Sequence, residues 1–337
     1  MTAHPGRRRL LAAAGALALG GLAGCASLGA TGTAALRNAP PAGLPRRVEL
    51  GATPFHPQED YQCGPAALAM ALGAAGLATP PEQLGRQIFL PGREGTLQIE
   101  MLAGARRNGA LAIEIPGSLD ALLRETAAGQ PVVVLLNLGL SWAPSWHYAV
   151  VIGYDLDEAA FLLRSGPIER QVLPFETLER TWARGGNWAF VVLPPGKLAA
   201  SAGETQTTTA LVAFEKTAPP LRAATAYRSA LERWPGSLTL AMGLGNSLYK
   251  AGALPEAETV FKNAARRHDA AAAWNNLANL LLERGRLREA RDAAQKAVAL
   301  GGPTLDTAQD TLRQIEARLT ASASPRRKAP RDRAARR

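Results

Sequence analysis

The stretch Gln58-Glu59-Asp60-Tyr61-Gln62-Cys63-Gly64-Pro65-Ala66-Ala67-Leu68 decides how the N-terminal half of this 337-residue chain is read. An alanine- and leucine-rich run follows Gly64-Pro65, which predicts a helix starting at Cys63. Proline suits a first helical turn, where its missing N–H would have no intrahelical partner. A cysteine placed there meets unpaired amides and the positive end of the helix dipole, both of which favour a thiolate. The thiolate is the nucleophilic form of cysteine, so Cys63 is the candidate nucleophile.

A cysteine nucleophile needs a base, and the chain has four histidines, at positions 4, 56, 147 and 268. His4 belongs to the leader described below. His56 precedes Pro57 in a loop, and His268 sits in the helical second half. His147 opens the strand pattern Tyr148-Ala149-Val150-Val151-Ile152-Gly153-Tyr154. A strand is a rigid platform for an imidazole facing a helix start, so His147 is the candidate base.

The rest of the composition narrows the compartment and the partners. Hydrophobic residues make up 47% and charged residues 20%, which excludes wholesale disorder. The net charge of +10 suggests nucleic acid until it is located. Arg7, Arg8 and Arg9 carry three of those charges and the segment 325–337 carries six, so one is left for the body. No basic face is implied and no nucleic-acid partner is expected. Arg7–Arg9 followed by the apolar run 10–22 reads as a signal peptide over 1–24. Leu22-Ala23-Gly24-Cys25 looks like a bacterial lipobox, which makes Cys25 the lipid-attachment site. The expected location is the bacterial cell envelope, with the chain lipid-anchored in the outer membrane and facing the periplasm. In that oxidising compartment Cys63 is the one thiol left over. Two cysteines do not make a multi-cysteine zinc site, and neither a metal nor a cofactor is expected.

Residues 25–50, rich in Ala, Gly, Pro, Thr and Arg, are expected to form a flexible tether. Residues 51–195 show helical patterns near 64–76, 81–88, 95–108, 118–128 and 175–183. Strand patterns fall at Val132–Leu138, His147–Tyr154, Phe161–Arg164 and Trp188–Leu193. The expected class is α+β, with helices first and the sheet later. From about 204 the strands vanish and a 33-residue repeat appears. Leu244-Gly245-Asn246 returns as Leu277-Ala278-Asn279, and Gly252 to Ala257 returns as Gly285 to Ala290. Units are expected over about 204–237, 238–270 and 271–303. A capping helix at 304–320 completes the 204–320 region, and a disordered basic tail occupies 321–337.

These motifs carry a resemblance. Cys63-Gly64-Pro65-Ala66 with Gln58 upstream and the strand from His147 to Tyr154 downstream resembles the papain-like, bacteriocin-processing (double-glycine leader) cysteine peptidases. The resemblance covers about 51–195. It implies a papain-like fold in which a helix carrying Cys63 packs on an antiparallel sheet carrying His147. Gln58 matches the family's oxyanion-hole glutamine, with Gln62 as the competing glutamine. The family places Asp or Asn on the strand after the histidine, where this chain has Arg164-Ser165-Gly166-Pro167. Ser165 is then the residue expected to orient His147, by accepting its Nδ1–H, although a neutral serine stabilises imidazolium less than aspartate would. Asp155 and Asp157 lie too near a hairpin turn for that part. The second half resembles the tetratricopeptide repeat, with Trp274, Leu277, Ala278, Leu281, Ala290 and Ala297 at its signature positions.

The function expected is an envelope lipoprotein cysteine peptidase acting through a Cys63 thioester, its repeats recruiting a protein partner or substrate. A peptidase-like scaffold without catalysis, acting in envelope assembly, is the alternative. Acyl transfer on peptidoglycan peptides is a third reading. Trp142 and Trp146, just before His147, could wall a substrate groove or simply pack beside the strand.

Overall fold

The computed structural model describes residues 31–57 and 62–323. The expected signal peptide 1–24, the lipid site Cys25, the glutamine Gln58 and the tail beyond Ala323 lie outside the described residues.

Helix α1 (Thr31–Asn38) and strand β1 (Arg47–Glu49) come first. Next are α2 (Cys63–Ala74), α3 (Pro81–Ile88), α4 (Gln98–Arg107), β2 (Leu111–Glu114) and α5 (Leu119–Ala127). Strands β3 (Val132–Asn137), β4 (Trp146–Asp155), β5 (Ala160–Ser165) and β6 (Ile168–Pro174) lead to α6 (Phe175–Ala183) and β7 (Ala189–Leu193). The strands make one antiparallel sheet in the order β2-β7-β3-β4-β5-β6. Strand β1 pairs with the far end of β4.

Helix α2 is apolar all round because it is enclosed all round, with every residue from Gly64 to Leu72 buried. It packs with α3 and α4 on one face of the sheet, against Val133, Leu135, Tyr148, Val150 and Ile152. The opposite face is covered by α5 and α6 over Val132, Val134, Leu136, Ala149 and Val151. Burial on both faces explains why β3 reads as an unbroken apolar run rather than an alternating one.

The remaining helices are α7 (Glu204–Phe214), α8 (Pro220–Arg233), α9 (Leu238–Lys250), α10 (Leu254–His268), α11 (Ala271–Glu283), α12 (Leu287–Leu300) and α13 (Leu305–Ala323). They stack as consecutive antiparallel pairs, closed by α13. Small residues stand where helices cross: a Cβ on Gly245 would come within 2.4 Å of the Phe261 ring. Among the described residues no helix is long and apolar enough to cross a membrane.

One joint departs from the sequence reading, and a second is held in the same way. The flexible tether over 25–50 is corrected in its described part. The first amides of α1 are captured by the Glu179 carboxylate of α6, from Gly32 N at 2.7 Å and Thr33 N at 2.9 Å, and the Thr33 hydroxyl joins them at 2.6 Å. β1 is a sheet strand. Linker-like composition carries no trace of a carboxylate supplied from elsewhere in the chain. The connection between the two halves is equally fixed. The fully buried Glu125 of α5 accepts from Ala200 N, Ser201 N and Ser201 Oγ at 3.0, 2.7 and 2.5 Å. Arg233 of α8 donates to the carbonyls of Ala199 and Ala200 at 2.6 and 3.2 Å. Helix α7 lies against β2, the outer strand of the sheet, so one apolar core runs from the sheet into the repeats.

Replacing Glu125 strands buried donors, each of which costs about 1–3 kcal/mol. Glu125→Ala is therefore expected to destabilise the whole chain by about 3 kcal/mol, in a single cooperative thermal transition. Two separate transitions in calorimetry would contradict the continuous core.

Candidate active site

Cys63 is the first residue of α2. Gln62 precedes it with its side chain uninvolved in capping. The sulfur accepts hydrogen bonds from the backbone N–H groups of Cys63, Gly64 and Tyr148. The last of these is the residue after His147, so Cys63 sits against the start of β4. Gly64 permits this seat: a Cβ there would lie 2.6 Å from the Thr96 hydroxyl. Thr96 is held in turn by Tyr148, whose hydroxyl donates to the Thr96 carbonyl at 3.0 Å.

His147 enters opposite Leu136 of β3. The regular β4–β5 pairing ends at Val150–Arg164, and the β5–β6 register shifts between Leu163 and Ser165. That irregularity delivers Ser165 to the imidazole: its Oγ lies 3.0 Å from His147 Nε2. The expected partner is present, but on Nε2 rather than Nδ1. When Nε2 carries the proton and donates to Ser165, Nδ1 is left as the basic nitrogen.

Cys63, His147, Tyr148 and Thr96 line one cavity of about 1190 Å³, bordered by Gly92–Gln98 on one side and Pro144–Trp146 with Gly166 and Pro167 on the other. Gln58 lies outside the described residues. Among the described residues no cluster of His, Cys, Asp or Glu could hold a metal ion.

The electrostatics correct the expectation of a resting thiolate. Burial pushes the Cys63 thiol above its ordinary value and outweighs the three amides. Burial also lowers the His147 pKa. Both shifts favour a neutral thiol beside a neutral imidazole. A local reading of the helix start counts the dipole and misses the cost of enclosure.

Two supports were not visible in the sequence. Arg164, almost completely buried, donates to the carbonyls of Gly51, Thr53 and Glu169 at 3.3, 3.1 and 2.5 Å. It thereby ties the segment ahead of Cys63 to the strand carrying Ser165. Asn137 turns its Oδ1 to Gly139 N and Ser145 N, both at 3.0 Å, and so shapes the loop leading to His147. A charged residue inside the apolar run Phe161–Arg164 and a polar end to the run at 132–137 were the only signals.

A half-buried cysteine on a helix start, sharing a cavity with a strand histidine that has a hydroxyl behind it, defines a papain-like cysteine peptidase fold. The comparisons agree. Residues 51–189 match the "Peptidase_C39 like family", and residues 220–267 and 255–303 match the tetratricopeptide repeat. The chain thus carries a C39-like peptidase domain followed by tetratricopeptide repeats, which are protein-interaction modules. Similar solved structures include a protein described as a C39-like peptidase from Bacillus anthracis (21% identity, 45% of this chain and 98% of that one, TM-score 0.38). Another is a double glycine motif protease from an AMS/PCAT transporter, in complex with the leader peptide (20%, 42% and 91%, TM-score 0.32). On the repeat side stands the translocator chaperone SycD of Yersinia enterocolitica type III secretion (16%, 34% and 85%, TM-score 0.33). No curated protein matches significantly.

The neutral pair has a direct consequence. A raised thiol pKa moves thiolate formation to higher pH, so iodoacetamide labelling of Cys63 should still be accelerating at about pH 9, the ordinary thiol value. Mass spectrometry with Cys63→Ser as the blank reads it. A plateau well below that pH would mean a resting thiolate.

Proposed function

We propose that this chain is an envelope lipoprotein, anchored through Cys25 in the outer membrane and facing the periplasm, whose C39-like domain hydrolyses a peptide bond through a Cys63 thioester. The observation that carries the reading is the meeting of Cys63 with His147 on one cavity, with Ser165 hydrogen-bonded to the imidazole. His147 Nδ1 takes the thiol proton as the sulfur attacks the amide carbonyl carbon. Gln58 and the Cys63 N–H are assigned to the oxyanion. Collapse of the tetrahedral intermediate breaks the C–N bond, and the departing amine takes the proton from the imidazolium. Water, deprotonated by His147, then attacks the thioester, releasing the carboxylate and restoring the thiol. The repeats supply a surface that recruits the protein substrate or a partner.

A scaffold reading has its own support, because a protonated thiol and a neutral Ser165 together make a slow nucleophile. Complementation separates the two. A deletion strain rescued by Cys63→Ala supports the scaffold, and failure of rescue with normal protein levels supports the peptidase.

The substrate is found by trapping with Cys63→Ala in native envelopes. On a peptide so identified, Cys63→Ala should abolish turnover. Ser165→Ala should lower kcat/KM about fivefold, the worth of one neutral hydrogen bond of about 1 kcal/mol. Ser165→Asp should shift the rising limb of the pH–rate profile to higher pH, because a carboxylate stabilises the imidazolium and so raises the pKa of His147, which must be neutral to take the thiol proton. An unshifted profile in Ser165→Asp would remove Ser165 from the mechanism.

A further inference from the structure

The loop between β3 and β4 is a small pinned hairpin with an apolar exterior. Leu138 N donates to Ser145 O at 2.9 Å, and Leu140 and Ala143 exchange backbone bonds at 3.1 Å. Asn137 Oδ1 holds both ends from inside, and Arg184 donates to the Asn137 carbonyl at 3.2 and 2.9 Å. On this rigid base Leu138, Leu140, Trp142 and Trp146 stand 53%, 56%, 83% and 54% exposed. Twelve large apolar side chains are exposed among the described residues, and four of them lie in this one short stretch. Ordinary packing beside a strand does not account for a tryptophan held so far out of the fold.

The chain's own geometry says what covers them. Arg184, which grips the hairpin, directly follows α6, and Glu179 of the same helix grips α1 at Gly32 and Thr33. The two grips are about 7.5 Å apart along the helix axis at 1.5 Å per residue. From Thr31 back to Cys25 the chain can reach about 21 Å even when fully extended. An acyl chain on Cys25 therefore holds this corner of the domain, the hairpin included, close to the bilayer. Exposed tryptophans and leucines on a rigid loop suit the interface between headgroups and acyl chains, where an indole buries its ring and keeps its N–H wet.

We propose that the hairpin 138–146 is a membrane-insertion device. Trp142 and its apolar neighbours enter the leaflet that holds the Cys25 lipid and set the cavity at the membrane surface, its Pro144–Trp146 rim lowermost. This rests on the lipoprotein reading above, and its test separates the two.

The full chain, purified from membranes with its lipid, is reconstituted into phosphatidylcholine vesicles with and without bromine on the acyl chains. Tryptophan emission is compared for the wild type, Trp142→Phe and Leu138→Ser/Leu140→Ser. Brominated chains should quench the wild type. Trp142→Phe should lose most of the quenching with an unchanged melting temperature, and the double serine variant should weaken it. A chain that floats with vesicles but shows equal emission on both lipids overturns the hairpin assignment and leaves the anchor standing. A chain that does not float removes both. Unquenched emission together with a raised KM in Trp142→Ala would hand the hairpin to a peptide substrate instead.

Discussion

The structure turns on the seating of one helix start against one strand start. Cys63 opens α2, and its sulfur accepts from the Tyr148 amide of β4. That contact sets the Cys63 sulfur against the start of β4, next to His147. Gly64 makes the approach possible, Thr96 fills the space beyond it, and the Tyr148 hydroxyl ties Thr96 in place. The same closeness encloses the sulfur, and enclosure is why the thiol stays protonated. Position and reactivity come from one packing decision, and they pull in opposite directions.

Much of this was legible from local pattern. The Gly-Pro helix start, the β-branched runs at 132–137 and 147–154 and the 33-residue repeat each leave a periodic or positional trace. Cys63 and His147 could be chosen because other residues of their type were few. What escaped detection depends on partners far away in sequence. Helix α1 exists because Glu179 caps it. β6, largely exposed, lacks the apolar signature of its neighbours. The nitrogen of His147 that meets Ser165 depends on a register shift in β5 that no spacing rule anticipates. The protonation of Cys63 is a sum over its whole surroundings, of which the sequence shows the helix dipole alone.

The supports around the cavity share a theme. Arg164 gathers three carbonyls, Asn137 gathers two amides and Glu179 gathers the first amides of α1. Each is one polar side chain of a regular element ordering a loop or a helix end that could not pair its own backbone. Irregular backbone near a site must satisfy its polar groups somehow, and single side chains do so here at fixed points.

The contact of α7 with β2 shows that a boundary drawn in sequence need not be a boundary in matter. Cutting the chain after the last strand would keep every residue of the sheet and still change its nature. The outer edge of β2 would lose its cover and offer unpaired backbone to any neighbouring molecule, the condition under which sheets join edge to edge. Helix α7 thus serves the C39-like half as a guard strip. Recombination that shuffled the two halves would have to carry that helix along or supply another.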